Sequence, residues 1–204
     1  MNQKTTSYIR LLHAVPDAPG VDIYANEEVL LAEDLEFGDF TPYIPVRPGD
    51  YEVDILVSGT QQGVLSTMLS VPERGIFTVA VSGSAEDPQV FVIEDPTIRI
   101  PTNQLGVRFA HLAPNAPSVD IRLDTGEQLF SDVAYGEISD YLFVDPNSYY
   151  LQVFPTDTNE PVLRAPNIRL KKDRFYTVYA VGLVGDTPPL QILVPLDGNS
   201  YINV

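Results

Sequence analysis

Hydrophobic and polar residues alternate in short runs along most of this chain. In the stretch YEVDILV (51–57), every second residue from Tyr51 onward is apolar or aromatic, and Glu52 and Asp54 lie between them. A strand that packs one face on a core and exposes the other to water requires this alternation. Similar runs, separated by turn residues, are YIRLLHA, VDIYAN, TPYIPV, VLSTMLSV, IFTVAVSG and QVFVIED. The pattern predicts an all-β chain, in which only AEDLEF (32–37) suggests a single helical turn.

The first half of the sequence recurs in the second half. HAVPDAPGVDI (13–23) matches HLAPNAPSVDI (111–121). Between residues 8–57 and 106–155, 15 of 50 positions are identical without a gap. Later segments align after a shift of one residue. The chain therefore contains a duplicated domain rather than a short-period solenoid.

The repeat predicts the domain organisation. We expect a first repeat at 5–97, a linker at 98–103 and a second repeat at 104–202. Seven or so strands in each repeat cannot cover a core as one flat sheet. Each repeat is therefore predicted to fold as an antiparallel β-sandwich, immunoglobulin-like or transthyretin-like. Because the chain has neither Cys nor Trp, its core must be aliphatic with Tyr and Phe.

The charge of the chain limits its partners. The formal net charge is -16, from 12 basic and 28 acidic residues. Phosphate binding needs clustered Lys and Arg, so we expect no nucleic-acid partner. One basic cluster is interpreted as a solvated hairpin, with contact to an acidic partner as the alternative. It consists of Arg169, Lys171, Lys172 and Arg174.

The sequence also bears on membranes and export. No apolar stretch approaches the ~20 residues that span a bilayer, so we expect no membrane insertion. The N-terminal segment does not have the pattern of a signal peptide, because Arg10 interrupts its only apolar run. Localisation therefore stays open between the cytoplasm and the cell exterior.

The repeated motif contains both histidines of the chain and is the first candidate for a site. His13 with Asp17 and Asp22 could ligate a metal, since imidazole and carboxylate suit several divalent ions, and the second copy offers His111 with Asp120. However, the acidic residue between the two prolines of the first copy is an asparagine in the second. That leaves two ligands where a closed zinc site has four. We therefore predict a structural turn without a metal, stiffened by prolines and closed by a histidine at the edge of the core.

The chain offers few groups for catalysis. Two histidines in different repeats, no Cys and no G-x-S-x-G elbow argue against nucleophilic chemistry. No phosphate-binding or dinucleotide-binding motif is present. We therefore expect no enzyme activity and no cofactor. The aromatic residues considered for stacking on sugars are Tyr24, Tyr43, Tyr141, Tyr149, Tyr150 and Phe154.

The order of motifs in both copies resembles the DUF4397 family. In the first copy, a strand ends in His-Ala and is followed by Pro-Asp-Ala-Pro, Val-Asp-Ile-Tyr, Phe-Gly and Pro-Gly-x-Tyr-x-Val. The resemblance implies a bacterial domain of uncharacterised function, often in tandem and usually in secreted or surface proteins. It supplies no catalytic residue.

These observations favour a non-catalytic structural or adhesion-type protein of a bacterial cell envelope or spore surface. Its partner would be a protein or a surface glycan, or a second copy of the chain that pairs through strand edges. The alternative is a carbohydrate- or divalent-metal-binding module that uses the loops at one end of each sandwich.

Overall fold

The computed structural model describes residues 6–204, which form two compact units. The first unit extends to Pro96 and also includes Tyr201–Val204, and the second comprises Thr97–Ser200. Among the described residues, the helical content is one 3-10 turn at Gly198–Ser200. No helix in this part of the chain has the length and hydropathy needed to cross a membrane. The architecture is all-β, as the alternation predicts.

The first unit contains eight strands in two four-stranded sheets. They are β1 (Ser7–His13), β2 (Val21–Ala25), β3 (Val29–Leu35), β4 (Ile44–Val46), β5 (Gly49–Val57), β6 (Gly63–Val71), β7 (Ile76–Gly83) and β8 (Pro88–Glu94). One sheet has the order β4-β1-β7-β8 and the other β3-β2-β5-β6. Leu11 and Val79 from one sheet and Ile23 and Ile55 from the other belong to a single core between the sheets.

The second unit repeats this arrangement. Its strands are β9 (Leu105–His111), β10 (Val119–Leu123), β11 (Gln128–Val133), β12 (Leu142–Val144), β13 (Asn147–Pro155), β14 (Leu163–Leu170), β15 (Phe175–Val181) and β16 (Gln191–Leu193). The sheets have the orders β12-β9-β15-β16 and β11-β10-β13-β14. Phe109 and Val178 on one sheet and Ile121 and Val153 on the other meet in its core.

The prediction of two tandem β-sandwich domains is confirmed, and the structure adds one parallel strand pair to each domain. β1 runs parallel to β7, with Leu11 opposite Val79, and β9 runs parallel to β15. The remaining strand pairs are antiparallel. Parallel neighbours need a long crossover connection. Here the chain between β1 and β7 builds the whole opposite sheet and also β4.

The suggested helical turn at 32–37 is wrong. Residues up to Leu35 belong to β3, an edge strand that pairs with β2. The pairing shifts register around Ile23, and Asp34 adopts a positive φ of 48°. A bulge of this kind interrupts the strict alternation of the strand. The local spacing of apolar residues therefore resembled that of a helix.

Candidate functional site

The first copy of the repeated motif is a turn closed by its histidine. His13 is the last residue of β1, and its side chain is 3% exposed. Its Nδ1 accepts a hydrogen bond from the amide of Val15 at 3.2 Å, so the proton of the neutral ring resides on Nε2. Nε2 lies 3.0 Å from the Pro19 carbonyl oxygen and donates to it. The ring thus joins the two ends of the proline loop and leaves neither nitrogen for a metal or a substrate.

The second copy has the same geometry. His111 is completely buried, its Nδ1 accepts from the amide of Ala113 at 3.3 Å, and its Nε2 lies 3.0 Å from the Pro117 carbonyl oxygen. Pro19 and Pro117 each place their carbonyl oxygen at the histidine ring. Each proline also has a fixed φ and restricts the conformation of the residue before it. The eleven-residue motif is repeated because each domain contains the same loop.

Burial keeps both histidines neutral. It lowers the pKa of His13 and of His111 below the ordinary value of 6.5. The carbonyls of Pro19 and Pro117 act in the opposite direction, and Asp39 adds a smaller attraction at His13, but burial outweighs them. A neutral ring is also what the hydrogen bonds demand, since Nδ1 must accept.

We expect the protein to lose stability as the pH falls through about 6.5. At pH values between the ordinary histidine pKa and the lowered pKa of the folded protein, the unfolded chain binds more protons than the folded chain does. The free energy of unfolding therefore rises with pH in this window. Urea unfolding midpoints should therefore decrease between about pH 7.5 and about pH 5.5. The double variant His13→Gln with His111→Gln should lose this dependence. An equal midpoint at both pH values in the wild type would contradict the buried neutral rings.

Asp22 holds the bulge of β3 and a neighbouring turn. Its Oδ1 accepts from the amide of Asp34 at 2.8 Å, and its Oδ2 accepts from the amide of Gly59 at 3.0 Å. These bonds, the one from Asp34 first, lower the pKa of Asp22 below its ordinary value. Both carboxylate oxygens of Asp22 are thus bonded within the first domain.

Asp120 has the equivalent role in the second domain. Its Oδ1 accepts from the amide of Asp132 at 2.9 Å, and its Oδ2 pairs with the Arg122 guanidinium at 2.8 Å. Burial alone would raise the pKa of Asp120, but the Asp132 amide and Arg122 outweigh it and the pKa is lowered. Arg122 takes the place of the Gly59 turn in the first domain.

The residues between the two prolines also bond within their own domains. Asp17 Oδ1 accepts from the amide of Ala85 at 2.9 Å. Asn115 Oδ1 accepts from the amide of Val184 at 2.8 Å, and its Nδ2 donates to the Val184 carbonyl at 3.1 Å. In each domain this residue ties the motif to the loop after the parallel partner strand. Among residues 6–204, no group of three or more His, Asp or Glu side chains is placed to hold a metal ion.

A buried polar network on the first strand of the second domain was missed from the sequence. Arg108 Nε donates to Thr177 Oγ1 at 2.8 Å, and that hydroxyl donates to Asp197 Oδ2 at 2.7 Å. The hydroxyl of Tyr141 donates to the same carboxylate oxygen at 2.8 Å, and its ring lies 4.5 Å from the guanidinium carbon. Arg108 and Asp197 are both buried.

The first domain has the corresponding residues. Arg10 Nε donates to Thr78 Oγ1 at 2.8 Å, and the Tyr43 hydroxyl donates to Asp95 Oδ2 at 2.5 Å. The guanidinium carbon is 4.9 Å from the ring centres of both Phe40 and Tyr43. The repeat alignment contained the signal, because its Arg, Thr and Tyr positions are identical in the two copies.

The aromatic residues considered for sugar stacking are mostly engaged within their own domains. Those whose hydroxyl or ring face has such a partner are Tyr43, Tyr141, Tyr149 and Phe154. Tyr24 and Tyr150 are half-buried in β2 and β13, in different domains. The basic cluster is exposed, with Arg169 near the end of β14 and Lys171, Lys172 and Arg174 in the turn from β14 to β15.

Comparison with known proteins gives one family and distant structural likenesses. The family model described as "Domain of unknown function (DUF4397)" matches residues 7–122 and 118–202. No curated protein sequence matches this chain. A family CBM26 module of Eubacterium rectale Amy13K, solved with maltoheptaose, has 10% identity over 95% of this chain and 99% of its own, with a TM-score of 0.29. A streptococcal virulence factor described as binding α-glucan has 12% identity over 97% and 100%, with a TM-score of 0.28.

Proposed function

This chain belongs to the DUF4397 family and carries the domain twice, and we propose that it is a non-catalytic binding protein of the structural or adhesion type. The repeated motif supports a scaffold role, because its histidine and aspartate side chains bond within their own domains. We propose that contacts are made instead by an exposed strand edge of the first domain. The composition of β6 is the observation that carries this proposal.

β6 is an outer strand that lacks the charges and prolines that usually prevent pairing, and its one register shift against β5 lies at its start, between Gly63 and Leu65. Among residues 6–204 it pairs only with β5, and its nine residues, GVLSTMLSV, include no charge and no proline. Met68, near its centre, is 65% exposed. Natural edge strands are normally blocked by charges, prolines or bulges, and an unblocked edge can accept another strand. β6 is therefore suited to bind an extended segment by strand addition.

The equivalent edge strand of the second domain, β14, carries residues that prevent pairing with a further strand. β14 contains Arg164, Pro166 and Arg169. Both edge strands have a register shift against their neighbours, but in β14 Asn167 also adopts a positive φ of 61°. The duplication thus produced one edge that resists pairing and one that permits it.

The side chains beside β6 indicate the chemistry of the segment. Asp50, Glu52 and Asp54 of β5 lie opposite Ser70, Met68 and Ser66, on the outer face of the sheet. Lys or Arg on the outer face of an added strand would lie diagonally near these acids. Its inner face would lie beside Thr67 and Leu69 and would be apolar. We propose a partner segment that alternates apolar with basic residues.

A synthetic peptide of alternating valine and lysine tests this binding mode. We expect saturable binding that weakens with added salt, together with slower hydrogen exchange at the β6 amides. Met68→Arg, which adds a blocking charge, should weaken binding at least about tenfold. The matched control is Leu142→Arg on the edge strand β12, which should bind as the wild type does. Equal binding by both variants, or protection outside β6, would overturn the proposal.

We also propose that the protein acts at a bacterial cell envelope or spore surface. An adhesion role requires that partners outside the cell or spore can reach the β6 edge. Labelling of intact cells and spores with a membrane-impermeant lysine reagent should modify this protein. Recovery of unlabelled protein only from the cytosol, in complex with an intracellular partner, would refute this location.

A further inference from the structure

The core of the first sandwich contains unfilled apolar space. A cavity of about 230 Å³ opens between β6 and β8 and is lined by Ile55, Leu69, Val79 and Val90, among others. A second, of about 220 Å³, opens between β3 and β4 on the opposite side. Both are lined by Leu31, Val53 and Leu69, so the two cavities adjoin inside the sandwich.

The second domain shows how the same space is normally filled. Its corresponding cavity, lined by Leu129 and Leu151, measures about 10 Å³. Phe130 lines it, and this ring stacks on Phe109 with centroids 6.2 Å apart.

The first domain lacks both rings. The sequence repeat and the strand register place Leu11 at the position of Phe109 and Ala32 at the position of Phe130. Two smaller side chains therefore replace a stacked aromatic pair.

An apolar cavity of this size is a ligand site in physical terms. A dry, apolar cavity of about 150 Å³ in another protein binds benzene. Each of the two cavities here is larger, and their lining offers water few partners. Side chains around a void lose dispersion contacts. A bound apolar group would restore to the first domain the contacts that Phe109 and Phe130 supply in the second.

The mouth of the second cavity adds a charge preference. Arg47 is the one charged side chain lining either cavity among the described residues. The residue at its position in the second domain, whose interior is filled, is Asp145. The first domain thus has a cation that lines this cavity, where the aligned residue of the second domain is an anion. Arginine pairs well with carboxylates through two parallel hydrogen bonds.

We propose that the first domain binds a linear alkyl chain that ends in a carboxylate. The chain would occupy the space between the two sheets, and the carboxylate would pair with Arg47 at the opening between β3 and β4. The second domain would not bind such a ligand. The duplication thus separates a ligand-binding copy from a filled structural copy.

Calorimetric titration with monomeric dodecanoate tests the proposal on the whole chain. We expect saturable binding and a higher unfolding temperature in its presence. Dodecyltrimethylammonium, which has the same chain and a cationic head, should bind at least about tenfold more weakly. Absence of dodecanoate binding, or stronger binding of either the cationic analogue or dodecyl phosphate, would overturn the assignment.

Two variants convert the first domain towards the second. Ala32→Phe introduces the ring that Phe130 supplies in the second domain, next to Leu31, which lines both cavities; we expect it to unfold at a higher temperature without ligand and to reduce dodecanoate affinity at least about tenfold. If it does not fold, Leu31→Phe fills the same space from the adjacent position. Arg47→Asp should weaken dodecanoate by a similar factor while leaving dodecan-1-ol unchanged. Wild-type affinity in these variants would refute the proposed site.

This inference can be tested separately from the strand-addition proposal, although Thr67, Met68 and Leu69 of β6 line the first cavity. Ala32 lies on β3, at the opposite edge of the sheet from β6. Ala32→Phe and Arg47→Asp should therefore leave valine–lysine peptide binding unchanged, because neither residue lies on β6. Failure of one proposal is thus visible without failure of the other.

Discussion

Arg108→Leu should lower the free energy of unfolding by about 3–5 kcal/mol, the range found when one member of a buried charged network is removed. The variant loses the bond to Thr177 and the stacking on Tyr141. It also removes the cation from a network that contains the completely buried Asp197 carboxylate, to which Thr177 and Tyr141 donate. Urea unfolding of the whole chain measures the change.

Arg122→Leu is the matched control. Arg122 also lies 4.5 Å from an aromatic ring, that of Phe154, and pairs with Asp120 at 2.8 Å. Its side chain is 22% exposed, so its removal should cost about 1 kcal/mol or less. Asp197→Asn in the Arg108→Leu background should recover part of the loss, because it removes a buried negative charge from a network that has lost its cation. Equal costs for the two arginines would show that Arg108 is not part of a buried charged network.

The alternation of residues was sufficient to predict the strands and the two sandwiches. In β5, the even-numbered acids face outward and Val53 and Ile55 enter the core, as the pattern requires. The alternation of residues does not indicate whether a neighbouring strand is parallel or antiparallel, however. The parallel pairing of β1 with β7 depends on contacts between residues about 70 positions apart, such as Arg10 with Thr78.

The candidate site was only partly predictable for a related reason. The histidine at the end of an apolar strand, followed by a stiff loop with two prolines, indicated a structural turn, and the geometry gives each ring nitrogen a partner. The buried arginines were missed because charged residues are rarely buried unless paired, and their partners lie on distant segments. The cavity was missed because a buried alanine such as Ala32 is an ordinary core residue in the sequence. Its small size matters only by comparison with Phe130, which fills the equivalent position in the second domain.

His111→Ala should lower the free energy of unfolding by about 2–4 kcal/mol. The variant leaves the Ala113 amide and the Pro117 carbonyl without their ring partner, and it opens a void at a completely buried position. Two conservative variants separate these contributions. In His111→Asn the side-chain oxygen can replace Nδ1 as the acceptor, whereas in His111→Gln the terminal amide can replace Nε2 as the donor. Each should cost less than alanine, because each retains one of the two bonds.

The same variants decide whether the repeated motif is a turn or a metal site. If it is a turn, wild-type unfolding temperatures should be unchanged by EDTA, Zn²⁺ or Ca²⁺, and His13→Ala should be destabilised to a similar degree as His111→Ala. A metal ligand would behave differently, because a metal present at 100 times its dissociation constant adds about 2.7 kcal/mol to stability. A metal-dependent rise in the unfolding temperature that disappears in His13→Ala and His111→Ala would therefore identify a site. The occupied ring nitrogens, with distances of 3.0–3.3 Å in both domains, lead us to expect the first result.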